Sequence, residues 1–236
     1  MSDIQTTRIA DRSAFFNRIA KNWSQAHYGP HGDMVARITR FTDALENLVP
    51  ACASILDYGC GTGDIAAALA ARGYRVEARD TSPTMIEQAR RLHTGSGVQF
   101  ADIEPAGAEA DVRISDQTFD AVVCSSVLEY LHDLPESLRL LSGALKPGGC
   151  LLATVPNIDH PLRRREPIHR MLMGIAPLRS LIRLTPWRET FELQWLSHNR
   201  MAISGWIGFF HAAGLRPVWQ DGQDHPLTLL IGRKCR

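Results

Sequence analysis

Three glycines stand at alternate positions in one short segment, Gly59, Gly61 and Gly63. Directly after a strand, glycines allow the chain to turn sharply and let a ligand approach the backbone, because a side chain at these positions would block it. This segment therefore predicts a small-molecule binding loop at the start of a helix.

The residue after the third glycine narrows the choice of ligand. Dinucleotide-binding loops have a glycine at this position, whereas this chain has Asp64. A carboxylate there would repel a pyrophosphate at the helix N-terminus, which argues against NAD or FAD.

Three aspartates, Asp57, Asp80 and Asp102, fall at the carboxyl ends of consecutive predicted strands. Open α/β sheets bind ligands at this edge. Asp80 follows Gly63 by 17 residues, where a nucleotide site uses a carboxylate to accept both ribose hydroxyls. For Asp102 alone, a solvated loop acid is an equally good interpretation.

The elements that must position these residues form an alternating pattern. Short β-rich runs and helical patterns alternate from about residue 54 to 156, which indicates a parallel sheet with crossover helices. Strands are predicted at 54–58, 74–79, 98–101, 119–124 and 150–155. Helices are predicted over 64–72, from Ser82-Pro83 and from the capping pattern at Asp133, with a turn at 146–149.

The pattern changes after Pro156. Residues 156–200 predict one or two amphipathic helices outside the sheet. A helix over 202–213 and two antiparallel strands at 215–220 and 227–232 follow. The first 50 residues or so are expected to be helical, with Phe15, Phe16, Ile19 and Trp23 on one stripe.

Composition limits the class of protein. With 236 residues, 44% hydrophobic and 22% charged, the chain fits one globular α/β domain rather than a disordered or fibrous protein. A net charge of +1 gives no electrostatic case for nucleic acid. Five cysteines without a C-x-x-C pair favour a reduced compartment and predict no metal site. The absence of a signal-peptide core and of a long apolar run predicts a soluble cytoplasmic protein, with no transmembrane segment.

The glycine loop and the motifs after it resemble those of class I S-adenosylmethionine-dependent methyltransferases. The matching segments are 56–66, 80–83, Asp102, 119–122 and 145–149. The resemblance is continuous over about residues 54–155. It implies an α/β fold with a Rossmann-like seven-stranded mixed sheet, helices on both faces, and a single domain with a helical acceptor-site insertion.

The resemblance also implies how the methionine end of S-adenosylmethionine would be held; S-adenosylhomocysteine would be the product. Gly59, Cys60 and Gly61 would bring the backbone to the methionine portion. Asp57 would orient its amino group, and Ser125 would line the same end.

For the adenosine end, the resemblance implies that Asp80 binds the ribose diol. Thr81 or Met85 would lie beside the adenine. Asp102 would accept a hydrogen bond from the adenine amino group, and Ile103 would pack on the ring.

Methyl transfer mainly requires alignment of nucleophile, methyl and sulfur. An alcohol or phenol also gains from a base, whereas an amine needs only to arrive neutral. Members of the family often place Asn or His near residues 126–130, but this chain has Ser-Val-Leu-Glu-Tyr there. The candidate catalytic groups are therefore Glu129, Tyr130, His132, His160, His169 and His198. His132 and His198 are also compatible with loop and structural roles.

Two segments are candidates for covering the site. The 156–200 insertion is apolar and carries seven arginines between 163 and 188, including the run 163–165. It is compatible with a helical pair with a solvated basic face, with a lid over an apolar or anionic acceptor, or with peripheral contact to an anionic membrane. Phe16, Trp23 and Tyr28 are candidates to close the cofactor pocket or to be core residues.

We therefore expect a helical segment over 1–50 that covers the cofactor site, and a methyltransferase domain over 51–236 that includes the insertion. The expected function is methylation of a small-molecule acceptor, with oxygen favoured over nitrogen, by a monomer or homodimer without a nucleic-acid partner. The alternatives are a methyltransferase acting on RNA or protein and a non-catalytic cofactor-binding protein.

Overall fold

The computed structural model describes residues 2–29, 32, 34–103, 116–163, 165–182, 184–221 and 225–235. Seven strands within these ranges form one sheet. They are β1 (Ser54–Tyr58), β2 (Arg75–Asp80), β3 (Gln99–Asp102), β4 (Phe119–Ser125), β5 (Leu145–Pro156), β6 (Leu215–Gln220) and β7 (Leu227–Lys234).

The strands lie in the order β3-β2-β1-β4-β5-β7-β6. The first five are parallel, and β7 runs antiparallel to both β5 and β6. The predicted mixed seven-stranded sheet is thereby confirmed, as is the antiparallel pairing of the last two strands.

The described residues form nine α-helices, and two pairs of them cover the two faces of the sheet. They are α1 (Ser2–Tyr28), α2 (Val35–Glu46), α3 (Asp64–Ala71), α4 (Pro83–Leu92), α5 (Leu134–Ala144), α6 (Glu166–Gly174), α7 (Ala176–Ile182), α8 (Arg188–Leu196) and α9 (Ile203–Ala212). One core contains Phe41 and Leu69 from α2 and α3. A second contains Leu138 and Trp206 from α5 and α9. Each helix pair buries its apolar stripe against one sheet face, so the protein is a layered α/β structure.

Two helix starts follow from local sequence. The hydroxyl of Ser82 accepts a 3.2 Å hydrogen bond from the N–H of Met85 and caps α4. Oδ1 of Asp133 accepts a 2.9 Å bond from the N–H of Glu136 and caps α5. Each cap satisfies a backbone donor that the first helical turn leaves free. The predicted helix starts at Ser82-Pro83 and at Asp133 are confirmed.

The predicted turn at 146–149 is instead an irregular part of β5. Leu145 pairs with Phe119, and the next pair is Cys150 with Ala121. Between these two pairs the chain therefore advances five residues along β5 but only two along β4. The surplus residues form a bulge around Gly148, whose φ is +80°. Turn-type residues are present as predicted, but pairing with β4 keeps them within the strand.

The insertion forms three helices, α6, α7 and α8, preceded by a 3-10 turn at Pro161–Arg163. The prediction of one or two helices was therefore wrong. Pro167 and Pro177 lie near the starts of α6 and α7, and Pro186 precedes α8. Proline suits a first helical turn but interrupts a helix interior, so the segment divides at these positions. Arg164 and Arg183 lie outside the described residues.

Helix α1 packs on α4 through part of the predicted apolar stripe. Phe15 and Ile19 are buried with Met85 of α4 and Leu196 of α8. Arg18 also forms an ion pair with Glu192 of α8. The amino-terminal helix is thereby attached both to the sheet layer and to the insertion.

Within the described ranges, none of the helices combines the length and apolar character needed to cross a membrane.

Candidate active site

A cavity of about 690 Å³ opens at the carboxyl ends of β1, β2 and β4, beneath α1, α2 and the insertion. Parallel strands end on the same edge of a sheet, so the loops that follow them converge there. Nine of the ten predicted cofactor residues line this cavity: Asp57, Gly59, Cys60, Gly61, Asp80, Thr81, Met85, Ile103 and Ser125.

The tenth, Asp102, is exposed and lies outside the cavity lining. It pairs with Asp80 in the sheet register, at the end of β3. The neighbouring N–H of Ile103 donates a 2.8 Å bond to the carbonyl of Asp80, which turns the Ile103 side chain to a buried position.

The glycine loop is tied to the next strand by its own backbone. The N–H groups of Gly59 and Cys60 donate to the carbonyl of Arg79 at 2.7 and 3.0 Å. The N–H of Gly61 donates to Oδ2 of Asp80 at 2.8 Å. These bonds hold the loop beside the carboxylate predicted to bind ribose.

Asp57 is 1% exposed, and neither of its carboxylate oxygens has a hydrogen-bond partner within 3.5 Å among the described residues, although the N–H of Ala66 is close enough to affect its pKa. Burial raises its pKa to about 7, the charge of Asp80 adds to the shift, and the N–H of Ala66 opposes it. A buried carboxylate whose oxygens lack partners is suited to bind a positively charged group of a ligand.

Asp64 is engaged in local contacts. It accepts 2.6 Å hydrogen bonds from the hydroxyls of Ser24 and Thr62. Its carboxylate therefore joins α1 to the start of α3.

Aromatic residues of α1 cover the glycine loop. Phe16, Trp23, His27 and Tyr28 all line the cavity. The ring centroids of Trp23 and His27 are 4.1 Å apart, and those of Phe16 and Trp23 are 6.4 Å apart. The Ser82 hydroxyl donates a 2.6 Å bond to Oδ1 of Asn17, which anchors α1 over the part of the cavity predicted to hold adenosine.

Glu129 lies in a 3-10 turn after β4 and lines the opposite part of the cavity. Its carbonyl accepts bonds from the N–H groups of His198 and Asn199 at 2.7 and 3.0 Å. Its Oε2 is buried without a partner among the described residues. Burial raises the pKa of Glu129 to about 7, against its own N–H and the charges of Arg163, Arg37 and Arg200.

Of the other candidate bases, Tyr130 and His132 also line the cavity. Burial raises the pKa of Tyr130 and so keeps its phenol neutral, whereas His132 is exposed. His198 and His160 lie outside the lining, and so does His169, whose Nδ1 is 2.8 Å from Oε1 of Gln194.

No feature of the sequence selects three other residues that line the cavity, Arg12, Arg37 and Arg200. Arginine supplies 23 of the 26 basic residues, since only three are lysine, so no single arginine stands out. Each comes from a different part of the chain, and only the fold brings them together.

A family profile described as a methyltransferase domain matches residues 25–221. The chain belongs to the methyltransferase domain family. Its predicted membership of the class I S-adenosylmethionine-dependent superfamily is thereby confirmed.

Curated relatives of this methyltransferase domain include two enzymes named for small molecules. The ubiquinone biosynthesis O-methyltransferase of Xanthomonas axonopodis pv. citri is 34% identical over 60% of this chain and 59% of its own length. The trans-aconitate 2-methyltransferase of Variovorax paradoxus is 26% identical over 88% of this chain and 74% of its own. The match thus spans about three fifths of the former relative.

Solved structures share the fold of this methyltransferase domain. An S-adenosylmethionine-dependent methyltransferase of Mesorhizobium loti matches with a TM-score of 0.57 at 18% identity, over 81% of this chain and 96% of its own. The 1,6-didemethyltoxoflavin-N1-methyltransferase of Burkholderia thailandensis, with bound 1,6-didemethyltoxoflavin and S-adenosylhomocysteine, matches with a TM-score of 0.58 at 16% identity, over 92% and 88%.

Proposed function

We propose that this protein transfers the methyl group of S-adenosylmethionine to an oxygen atom of a small-molecule acceptor. One observation carries the proposal: a single cavity joins the Asp57–Gly61–Asp80 edge of the sheet to the buried carboxylate of Glu129. The edge formed by Asp57, Gly61 and Asp80 is suited to bind the cofactor. The carboxylate of Glu129 is suited to accept a proton from an alcohol or phenol.

The residues present fit the cofactor. Asp57, whose oxygens have no partner in the described chain, would bind the amino group of the methionine portion. The backbone of Gly59, Cys60 and Gly61 would approach that portion closely, because a side chain would fill the space. Ser125 would line the same end.

At the adenosine end, Asp80 would accept the ribose hydroxyls. Thr81 lies beside it, and Met85 and Ile103 supply an apolar surface for adenine. Asp102 remains a prediction for the adenine amino group, from its place at the end of β3.

When bound, S-adenosylmethionine supplies an electrophilic methyl carbon: the acceptor oxygen bonds to it as the carbon–sulfur bond breaks, and S-adenosylhomocysteine is left. Glu129 receives the proton of the acceptor hydroxyl. A base with a pKa near the working pH performs this step best, which favours Glu129, with its pKa raised to about 7 by burial. His132 and His198 remain alternatives from the sequence.

Helix α1 and the insertion exclude water and align the reactants. Alignment alone can supply about 7–11 kcal/mol of the barrier reduction. Phe16 and Trp23 close the cofactor side, whereas Leu193 and Gln194 of α8 line the acceptor side. We therefore assign the amino-terminal helix to cofactor cover and the 156–200 insertion to the acceptor lid.

The size of the cavity and the names of the relatives support a small acceptor. A volume of about 690 Å³ suits a metabolite beside the cofactor. An amine would need no base, so the buried Glu129 favours oxygen over nitrogen. A macromolecular acceptor and a non-catalytic role are less well supported.

The cellular setting is also a proposal. All five cysteines are free thiols, which supports a reduced compartment such as the cytoplasm. The outer surface of the insertion exposes Ile168, Met171, Leu184 and Trp187, which supports peripheral contact with a membrane. Both a monomer and a homodimer fit this proposal.

The proposal is tested with S-adenosylmethionine that carries a deuterated methyl group. The protein is first titrated with the cofactor by calorimetry, then incubated with it and a bacterial metabolite extract. A metabolite that carries a trideuterated methyl group, formed in smaller amount by Asp80→Ala, is the expected result. Failure of folded protein to bind the cofactor would overturn the proposal.

A further inference from the structure

Three arginines converge on the part of the cavity beyond Glu129. Arg37 comes from α2, Arg163 from the 3-10 turn after β5, and Arg200 from the segment before α9. All three line the cavity, and each opposes the raised pKa of Glu129. We call Arg37, Arg163 and Arg200 the arginine cluster.

The cluster is held in place before any ligand binds. Buried Glu166 pairs with Arg163 at 3.0 Å and also with Arg200. Arg163 donates in addition to the carbonyl of Pro226, next to β7. The side chains of Arg163 and Arg200 are only 16% and 14% exposed, so their guanidinium groups are largely removed from solvent.

Arg37 is positioned by a strained residue. Its Nη1 donates a 2.9 Å bond to the hydroxyl of Ser126, which has a left-handed φ of +56°. The N–H of Ser126 donates to the Thr154 hydroxyl at 2.8 Å. Strain of this kind persists where neighbouring contacts over-determine the backbone, which is common at ligand sites. Arg37 has no ion pair with a described residue.

The charges here do not balance. Three guanidinium groups face two carboxylates, Glu166 and Glu129. None of the three lies within 4.0 Å of the Glu129 carboxylate among the described contacts. Among the described residues one positive charge is therefore in excess, and two are once Glu129 holds a proton. Arg37 is half-buried and has no ionic partner among the described residues, so an anion bound at the arginine cluster would stabilise this end of the cavity.

We propose that the methyl acceptor is an anion whose carboxylate or phosphate group binds the arginine cluster while its hydroxyl lies beside Glu129. This inference rests on the proposed function and specifies its substrate class. The anion restores the charge balance, and the fixed guanidinium groups set the distance from it to the reacting hydroxyl. A neutral acceptor of the same shape would leave the charge of Arg37 without an ionic partner among the described residues and would bind more weakly.

The other carboxylate that could reach the cluster is that of the methionine portion of the cofactor, so the test must separate the two. Protein saturated with S-adenosylhomocysteine is titrated at low salt with salicylate, with salicylamide and with inorganic phosphate, using calorimetry. Arg37→Gln and Arg200→Gln are compared with wild type. Arg72→Gln is the control, because Arg72 pairs with Asp43 and Glu46 outside the cavity.

We expect wild type and Arg72→Gln to bind an anionic probe at least about tenfold more tightly than the amide. Both cluster variants should lose this preference while their affinity for S-adenosylhomocysteine changes less than about twofold. Arg37→Gln removes no described ion pair, so it keeps the test valid if Arg200→Gln fails to fold.

Equal binding of acid and amide by wild type, or no binding of either anion, would overturn the anion site and leave the proposed function standing. Loss of S-adenosylhomocysteine affinity in the cluster variants would assign the arginines to the cofactor and also overturn the inference. Wild type that does not bind S-adenosylhomocysteine would instead contradict the proposed function itself.

Discussion

The backbone N–H of Gly61 donates a 2.8 Å hydrogen bond to Oδ2 of Asp80. The loop after β1 and the end of β2 are thus joined by a contact between the two motifs on which the methyltransferase assignment depends. The N–H of Ser82 donates to Oδ1 at 2.9 Å. Each oxygen of a carboxylate can accept two hydrogen bonds, so Asp80 is oriented by the backbone and retains capacity for a ribose diol.

Replacing Asp80 with alanine should lower the affinity for S-adenosylhomocysteine at least about tenfold, because charge-assisted bonds to the ribose are lost and Gly61 loses its anchor. The matched control is Asp102→Ala, whose side chain is exposed and outside the cavity lining. Calorimetry should show a smaller loss for Asp102→Ala. Equal affinities of Asp80→Ala and wild type would remove Asp80 from the site.

Glu129→Gln should reduce turnover about 100-fold or more, as expected for loss of a general base. Because burial raises the pKa of Glu129 to about 7, the wild-type rate should rise with pH through that value as the carboxylate ionises. The variant should lack this limb while its cofactor affinity stays within about twofold.

The measurement is S-adenosylhomocysteine release against pH, with an acceptor found in the labelling experiment. His132→Gln is run in parallel because His132 also lines the cavity. Loss of the pH limb in that variant, with the limb retained in Glu129→Gln, would assign the base to His132.

Asp57→Asn should stabilise the cofactor-free protein more at high pH than at low pH. Burial raises the folded-state pKa of Asp57 to about 7. At pH values between the ordinary pKa of aspartate and this raised pKa, the folded state therefore binds more protons than the unfolded state. Wild-type stability therefore falls as pH rises through this window, and the asparagine variant escapes that loss.

The difference in unfolding free energy between Asp57→Asn and wild type should grow by about 1–2 kcal/mol from about pH 5.5 to about pH 8. Urea unfolding measures it, with exposed Asp43→Asn as the baseline. The same variant should bind S-adenosylhomocysteine at least about tenfold more weakly, since the amide carries no charge. A difference independent of pH would contradict the raised pKa.

Gly63→Ala should destabilise the protein more than Gly61→Ala. Both residues have left-handed φ angles, +78° and +54°, which cost alanine roughly 1–2 kcal/mol each. A Cβ on Gly63 would also lie 2.6 Å from the ring of Phe100, whereas one on Gly61 would be 3.8 Å from Nε1 of Trp23. Thermal unfolding should therefore give a lower midpoint temperature for Gly63→Ala than for Gly61→Ala. The reverse order would contradict this packing.

Trp23→Ala should speed release of S-adenosylhomocysteine by about tenfold, because the indole covers the glycine loop and its removal opens the cofactor side. Trp219→Ala, at an exposed position on β6, is the control and should leave release unchanged. Stopped-flow displacement gives both rates. Identical release from the two variants would argue against α1 as a cofactor cover.

Much of the sheet could be predicted from the sequence. β1 and β6 begin and end as predicted at Ser54–Tyr58 and Leu215–Gln220, because β-branched and aromatic residues bounded by turn residues indicate short strands. The bulge at Lys146–Gly149 could not be predicted, since its residues suit a turn equally well and only pairing with Phe119 keeps them in β5.

The sequence by itself determined the family and predicted the sheet edge that binds the cofactor, because a glycine loop and a strand-ending aspartate are local features whose meaning depends on nearby residues. Only the tertiary structure decided which residues form the proposed acceptor end. Arg37, Arg163 and Arg200 are far apart in the chain. The local sequence marks only Arg163, as part of the run 163–165, and does not indicate that it meets the other two. Burial and net charge depend on which neighbours the fold assembles, so the state of Glu129 and the excess positive charge beside it emerge only once the helices are packed on the sheet.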